Sequence, residues 1–95
     1  RGYAYVREAV EIMAERPGLS ITKELYPMVG QRCGASAENV ERSIRGAIAA
    51  AWEKRDEQIW RMYFGVSSGQ TLRRPTNAAF ISRLSDGLIQ TQGRE

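Results

Sequence analysis

Apolar residues recur along this chain at helical rather than alternating intervals. In YAYVREAVEIMAERPG, Tyr3, Val6, Val10 and Met13 keep the spacing of one helical face, while Arg7, Glu8, Glu11 and Glu15 fall on the others. A first helix is predicted there, stopping near Arg16, because Pro17 disfavours helical geometry in its predecessor and Gly18 follows as a turn residue. SITKELYP offers Ser20 as an N-cap and a short turn of helix, which Pro27, having no N–H, is expected to interrupt. PMVGQRCG then reads as a separate short helix, with Pro27 at its first position and Gly34 in the left-handed position past its end. Cys33 is expected on the apolar side of that helix, as a small buried hydrophobe.

Ser36 suits the N-cap of the next helix, so the link between the two is only about three residues, the length of a helix-turn-helix connection. The helix from Ala37 meets no breaker except Gly46 until about Arg55, and it is the longest predicted. Lys54 and Arg55 at its end offset the helix dipole. A further helix is predicted from about Asp56 to Phe64, closed by Gly65. VSSGQTLRRP follows as a loop, and Thr76 caps a last helix with Phe80, Ile81, Leu84 and Leu88 as its buried stripe. With no strand alternation and no internal repeat, the expected fold is all-α: a compact bundle of about six helices containing a helix-turn-helix, with residues 1–95 as one domain.

Composition narrows the function. A chain of 95 residues, 42% hydrophobic and 26% charged, holds one core of soluble type, and no apolar run approaches the ~18 residues that cross a bilayer. The chain opens at Arg1 with an amphipathic helix rather than a signal peptide, and is expected to be a fragment of a longer protein. One cysteine and no histidine leave no internal disulfide and no usual zinc site, so neither metal nor cofactor is expected. The missing histidine also removes the commonest general base, and no nucleophile and base stand together, so an enzyme is not expected. Net charge is +3, and from Gln58 through Ser85 there is no Asp or Glu while Arg61, Arg73, Arg74 and Arg83 fall in that window. A locally positive surface follows, for which nucleic acid is the default partner and a merely solvated basic face the alternative. Trp52, Trp60, Tyr63 and Phe64 are read as packing aromatics rather than base-stacking platforms.

The long helix carries the chemistry. At 100° per residue, Val40, Ile44, Ala47, Ile48 and Ala51 cluster on one side, and Glu38, Arg42, Arg45, Gly46 and Ala49 occupy the other. Arginine donates two parallel hydrogen bonds to guanine, Glu41 on the flank accepts from cytosine, and Gly46 and Ala49 leave room for the backbone to sit deep in a major groove. The same residues would also make ordinary surface pairs along a wet helix. Arg73 and Arg74, in a loop before Pro75, are candidates for phosphate, and Ser36 joins them at the helix start, where N–H groups favour an anion, besides its role as a cap.

ITKELYP, VERSIRGAIAAAW, FG and RPTNAAFI together resemble the C-terminal effector domain of the sporulation master response regulator of endospore-forming bacteria, over nearly the whole chain. The resemblance implies a six-helix domain that binds a short G/C-containing promoter box and activates or represses transcription, with a phosphorylated receiver domain N-terminal to it. It implies base reading by Glu41 and Arg42, with Asn39 and Arg45 on the same helix and Arg74 as a basic loop position. Asn39 stands where many relatives carry arginine, and Gly46 where many carry histidine. It further implies paired copies on tandem sites and contact with the sigma subunit of RNA polymerase around Ile59, Arg61 and Phe64, of which only Phe64 matches the family. The expectation is a cytoplasmic, sequence-specific double-stranded DNA binder; a helical module binding an acidic partner protein is the alternative.

Overall fold

A π-helical turn precedes the helix that contains Pro27, and it changes the predicted layout. The computed structural model describes residues 2–93; Arg1, Arg94 and Glu95 lie outside them. Five α-helices follow in order: α1 (Gly2–Glu15), α2 (Tyr26–Cys33), α3 (Ala37–Glu53), α4 (Glu57–Tyr63) and α5 (Asn77–Gly93). No strand occurs among the described residues. The predicted count of about six is corrected to five, because the segment Ile21–Leu25 is not a separate helix but a wide turn that runs directly into α2. Leu25 N–H donates to the Ser20 carbonyl at 2.9 Å and Tyr26 N–H to that of Ile21, each spanning five residues. In an ordinary helix the Pro27 ring would collide with the carbonyl four residues back and leave it without a donor. Widening the turn ahead of the ring accommodates both problems without breaking the helix. Ser20 caps the turn as expected, accepting from Lys23 N–H at 3.3 Å, while its own N–H donates to Glu24 Oε1 at 2.7 Å.

The core is one cluster drawn from every helix but α4. Tyr5, Ala9, Ile12 and Met13 of α1 meet Leu25, Tyr26 and Val29, then Val40, Ile44 and Ile48 of α3, and Ile81 of α5. The α3 stripe matches its periodicity. The α1 stripe does not: Tyr3 is 68% exposed, and Tyr5 takes the core position. The buried face is centred on the fully buried Ala9, and a face centred on alanine is outweighed in an apolar pattern by its larger neighbours. Cys33 is also corrected, from buried to exposed. It is the last residue of α2, past the neighbours that cover Val29, on the rim of a polar hollow shared with Asn39 and Ser43. Glu8 of α1 pairs with Arg32 of α2 at 2.8 Å, and the hydrogen bond raises the Arg32 pKa further above its ordinary value.

The turn between α2 and α3 is closed by glycine at two places. Gly34 has φ 71°, the left-handed geometry that ends α2, and its N–H donates to the Gly30 carbonyl. Ala35 N–H donates to the same carbonyl at 2.8 Å. A Cβ on Gly30 would lie 2.3 Å from the Ala35 carbonyl oxygen, so no larger residue fits without moving the turn. Ser36 then caps α3, accepting from Asn39 N–H at 3.1 Å.

The start of α5 is bolted across the bundle. Thr76 caps it through Ala79 N–H at 3.1 Å, and the Asn77 amide donates both to the Tyr26 hydroxyl at 3.2 Å and to the Glu41 carbonyl at 3.1 Å. The short α4 buries no residue of its own. Its anchor is aromatic: Trp60 stands 5.7 Å from Trp52, 5.4 Å from Phe64 and 6.0 Å from Phe80, ring centre to ring centre. These rings are half-buried packing residues, as read from the sequence, whereas Tyr63 is exposed. Among the described residues no helix is long and apolar enough to cross a membrane.

Gly30→Ala is expected to destabilise the chain by ~1–3 kcal/mol in urea unfolding, since the overlap with the Ala35 carbonyl outweighs the alanine helix propensity.

Candidate nucleic-acid interface

With Val40, Ile44 and Ile48 sealed inside, α3 turns its opposite face outward. Glu38, Asn39, Arg42, Arg45 and Gly46 are exposed, and Ala49 is half-buried. A Cβ built on Gly46 meets nothing within 4 Å, so the gap expected in mid-helix is open to solvent. The outward strip forms a ridge between two hollows. On one side a groove of about 590 Å³ is lined by Thr22, Glu38, Glu41, Arg45, Arg74 and Thr76 among others. On the other, a polar hollow of about 490 Å³ runs past Asn39 and Ser43 to Cys33.

Side chains on the ridge are loosely engaged with one another. Arg45 pairs with Glu41 one turn back, with the side chains 56% and 39% exposed, so the link is a wet intrahelical pair worth about 0.3–0.5 kcal/mol. Arg42 reaches Asn39 Oδ1 at 3.4 Å, at the long end of a hydrogen bond. Both arginines can therefore be redirected to another acceptor at small cost. Glu41 is half-buried on the groove side, beside Arg45 rather than beside Arg42. Ser36 is committed to its capping bond but stays exposed at the helix start.

The four arginines of the acid-free window divide in two. Arg61 donates to the carbonyl of Gln70 at 2.7 Å, with Ser67 at 3.5 Å and Glu57 also 3.5 Å away, and so closes the 66–70 loop. Arg83 lies over the Tyr63 ring, 4.4 Å from its centre, and donates to the Tyr63 carbonyl. These two serve structure. Arg73 and Arg74 are exposed, and among the described residues neither has a hydrogen-bond or ion-pair partner; Arg74 lines the groove beside α3. Arg55, beyond the end of α3, donates to the Trp52 carbonyl at 2.9 Å and stacks 3.8 Å from the centre of its ring, in keeping with a stabilising role at the C-terminus.

Ile59 and Met62 form a separate exposed apolar patch on α4, at 55% and 75% exposure. A shallow apolar pocket of about 220 Å³ adjoins it, lined by Ile59, Trp60, Tyr63, Phe64, Phe80 and Leu84. Of the residues implied at a polymerase surface, Ile59 is thus available, Phe64 is half-engaged in the aromatic cluster and Arg61 is turned to the loop. Met62, outside that set, is more exposed than any of them and carries no motif in the sequence. Thr22, Thr76 and Asn77 at the groove likewise escape a local reading, since only the packing of the Ile21–Leu25 turn and of the start of α5 beside α3 brings them there.

The fold is thus a helical domain with a charged, sterically open helix beside a basic loop whose two arginines have no partner among the described residues. The family model for the sporulation initiation factor Spo0A C-terminal region matches residues 1–88, and the chain belongs to that family. This is a family of sporulation transcription factors with a DNA-binding role, not a family of enzymes.

Substitutions at Ser36 test the cap and an anion contact separately. Ser36→Ala is expected to lose ~1 kcal/mol of stability with the cap. Ser36→Asp should keep the cap and the stability yet weaken duplex DNA binding by charge repulsion, as read by urea unfolding and fluorescence anisotropy.

Proposed function

We propose that this chain is the DNA-binding output domain of a bacterial sporulation response regulator, acting in the cytoplasm through a helix-turn-helix formed by α2, the turn at 34–36 and α3. The observation that carries the proposal is the open ridge of α3, with Arg42 and Arg45 exposed and empty space at Gly46, beside Arg74, which has no partner among the described residues. A major groove about 12 Å wide takes a helix of this kind, and a missing side chain in mid-helix lets the backbone enter deeply. Arg42 and Glu41 read base edges, with Asn39 and Arg45 assisting. Arg45 leaves Glu41 to do so, and the weakness of their exposed pair makes that exchange inexpensive. Ser36, Arg73 and Arg74 hold phosphates on the flanks, supplying affinity without sequence information.

Residues 1–95 act in this reading as one effector domain under the control of a receiver domain in the complete protein. Two copies occupy tandem promoter sites. The outer face of α4, with Ile59 exposed and Phe64 and Arg61 shaping its support, meets the sigma subunit of RNA polymerase. The exposed apolar patch of Ile59 and Met62 supports a protein partner there, while the charged ridge of α3 supports DNA. A helical module that binds only an acidic protein would need the ridge but no sequence preference. Salt-dependent binding to one duplex sequence over another therefore decides between the two.

Arg42→Ala is expected to reduce discrimination between a duplex selected from a random pool and its scrambled counterpart by ~1–3 kcal/mol; undiminished discrimination removes Arg42 from base reading. Arg74→Ala should weaken both duplexes alike and lower the slope of log affinity against log salt by about one, whereas an unaltered slope excludes a phosphate contact.

A further inference from the structure

The two DNA-facing parts of the proposed interface belong to segments far apart in the chain, and one side chain joins them. The Asn77 amide nitrogen carries two hydrogens, and each has an acceptor: the Glu41 carbonyl in the middle of α3 at 3.1 Å and the Tyr26 hydroxyl at the start of α2 at 3.2 Å. A helical carbonyl keeps a second lone pair after its own intrahelical bond, so Glu41 can accept from Asn77 without loss to α3. No other side chain of this size supplies two donors from one atom: aspartate has none, leucine has none and serine has one. Both bonds are partly buried, where water competes less.

Three residues before Asn77 stands Arg74, and the path between them is stiff. Pro75 fixes its own backbone angle φ, and Thr76 caps α5 through Ala79 N–H at 3.1 Å while its carbonyl takes Phe80 N–H at 2.9 Å. Arg74 itself has no partner among the described residues to hold it beside α3. We propose that Asn77 is a positioning residue that sets the register of the phosphate-binding loop against the base-reading helix, so that Arg74 reaches its phosphate when α3 is seated in the groove. This rests on the DNA-binding reading above. The two bonds reach across 36 and 51 residues of sequence, and they end on the helix that reads bases and the helix that precedes it.

Loss of a merely structural asparagine would lower stability, and its effect on binding would multiply with that of losing Arg74. A positioning residue would couple to Arg74 specifically. The test is a double-mutant cycle on the 95-residue chain, using a fluorescein-labelled duplex selected from a random pool on the wild-type protein, with urea unfolding of every variant. In the wild-type background Arg74→Ala is expected to weaken binding on the order of tenfold. In the Asn77→Ala background the same change should weaken it by a factor near one. Tyr26→Phe, which removes one of the two acceptors and keeps the ring packed, should shrink the Arg74 effect partway, and it decides the matter if Asn77→Ala does not fold. A full-sized Arg74 effect in both backgrounds overturns the proposal while leaving DNA binding intact. A wild-type chain that binds no duplex at all overturns the functional reading and this inference with it.

Discussion

Val40, Ile44 and Ile48 are closed off from water between α1 and α2, and a helix held along that stripe has no freedom to choose its outer face. Burial of each such side chain contributes roughly 1.5–3 kcal/mol, far more than any surface pair on the same helix. The direction in which Arg42, Arg45 and Gly46 point is therefore decided by residues that never touch a ligand. The turn at 34–36 adds the second half of the constraint, because the Gly30 carbonyl takes two N–H groups and the Ala35 carbonyl oxygen leaves no room for a side chain on Gly30. Rotation of α3 is set by the seam, and its starting point by the turn.

The charge on this surface is sorted rather than diffuse. Of four arginines in a segment without acids, two are drawn to backbone carbonyls in and around α4, where loop and helix-end oxygens need donors, and two stay exposed in the loop before α5, Arg74 beside α3. Net charge alone would have credited all four to a partner. The aromatic cluster around Trp60 follows a similar logic: it seats a helix that buries nothing of its own, and so leaves the Ile59 and Met62 side of α4 uncovered.

What could be read from the sequence follows from the range of the interactions involved. The extent of α3, its cap and its buried stripe depend on residues within four positions of one another, and periodicity with Ser36 was enough to place them. Pro27 was legible as a disturbance but not as a wide turn, since a break and a π turn satisfy the missing N–H equally well and only packing chooses between them. Tyr3 keeps the spacing of the α1 apolar stripe yet is exposed, because Ala9, the true centre of the buried face, contributes little to an apolar pattern. Cys33 looked buried because a helical face was extended one turn past the residues that cover it. The sorting of Arg61 and Arg83 from Arg73 and Arg74, and the reach of Asn77 to α2 and α3, depend on contacts between distant segments and leave no local trace.

Gly46 sits in the interior of a long, well-capped helix with nothing near its α-carbon, where alanine would hold the helix more firmly by roughly 1 kcal/mol. Selection for thermal endurance alone would be drawn to this site first and would fill it. Any lineage retaining the glycine is then tolerating a softer helix, and heat-hardened variants recovered in the laboratory are poor guides to which residues its regulatory work demands.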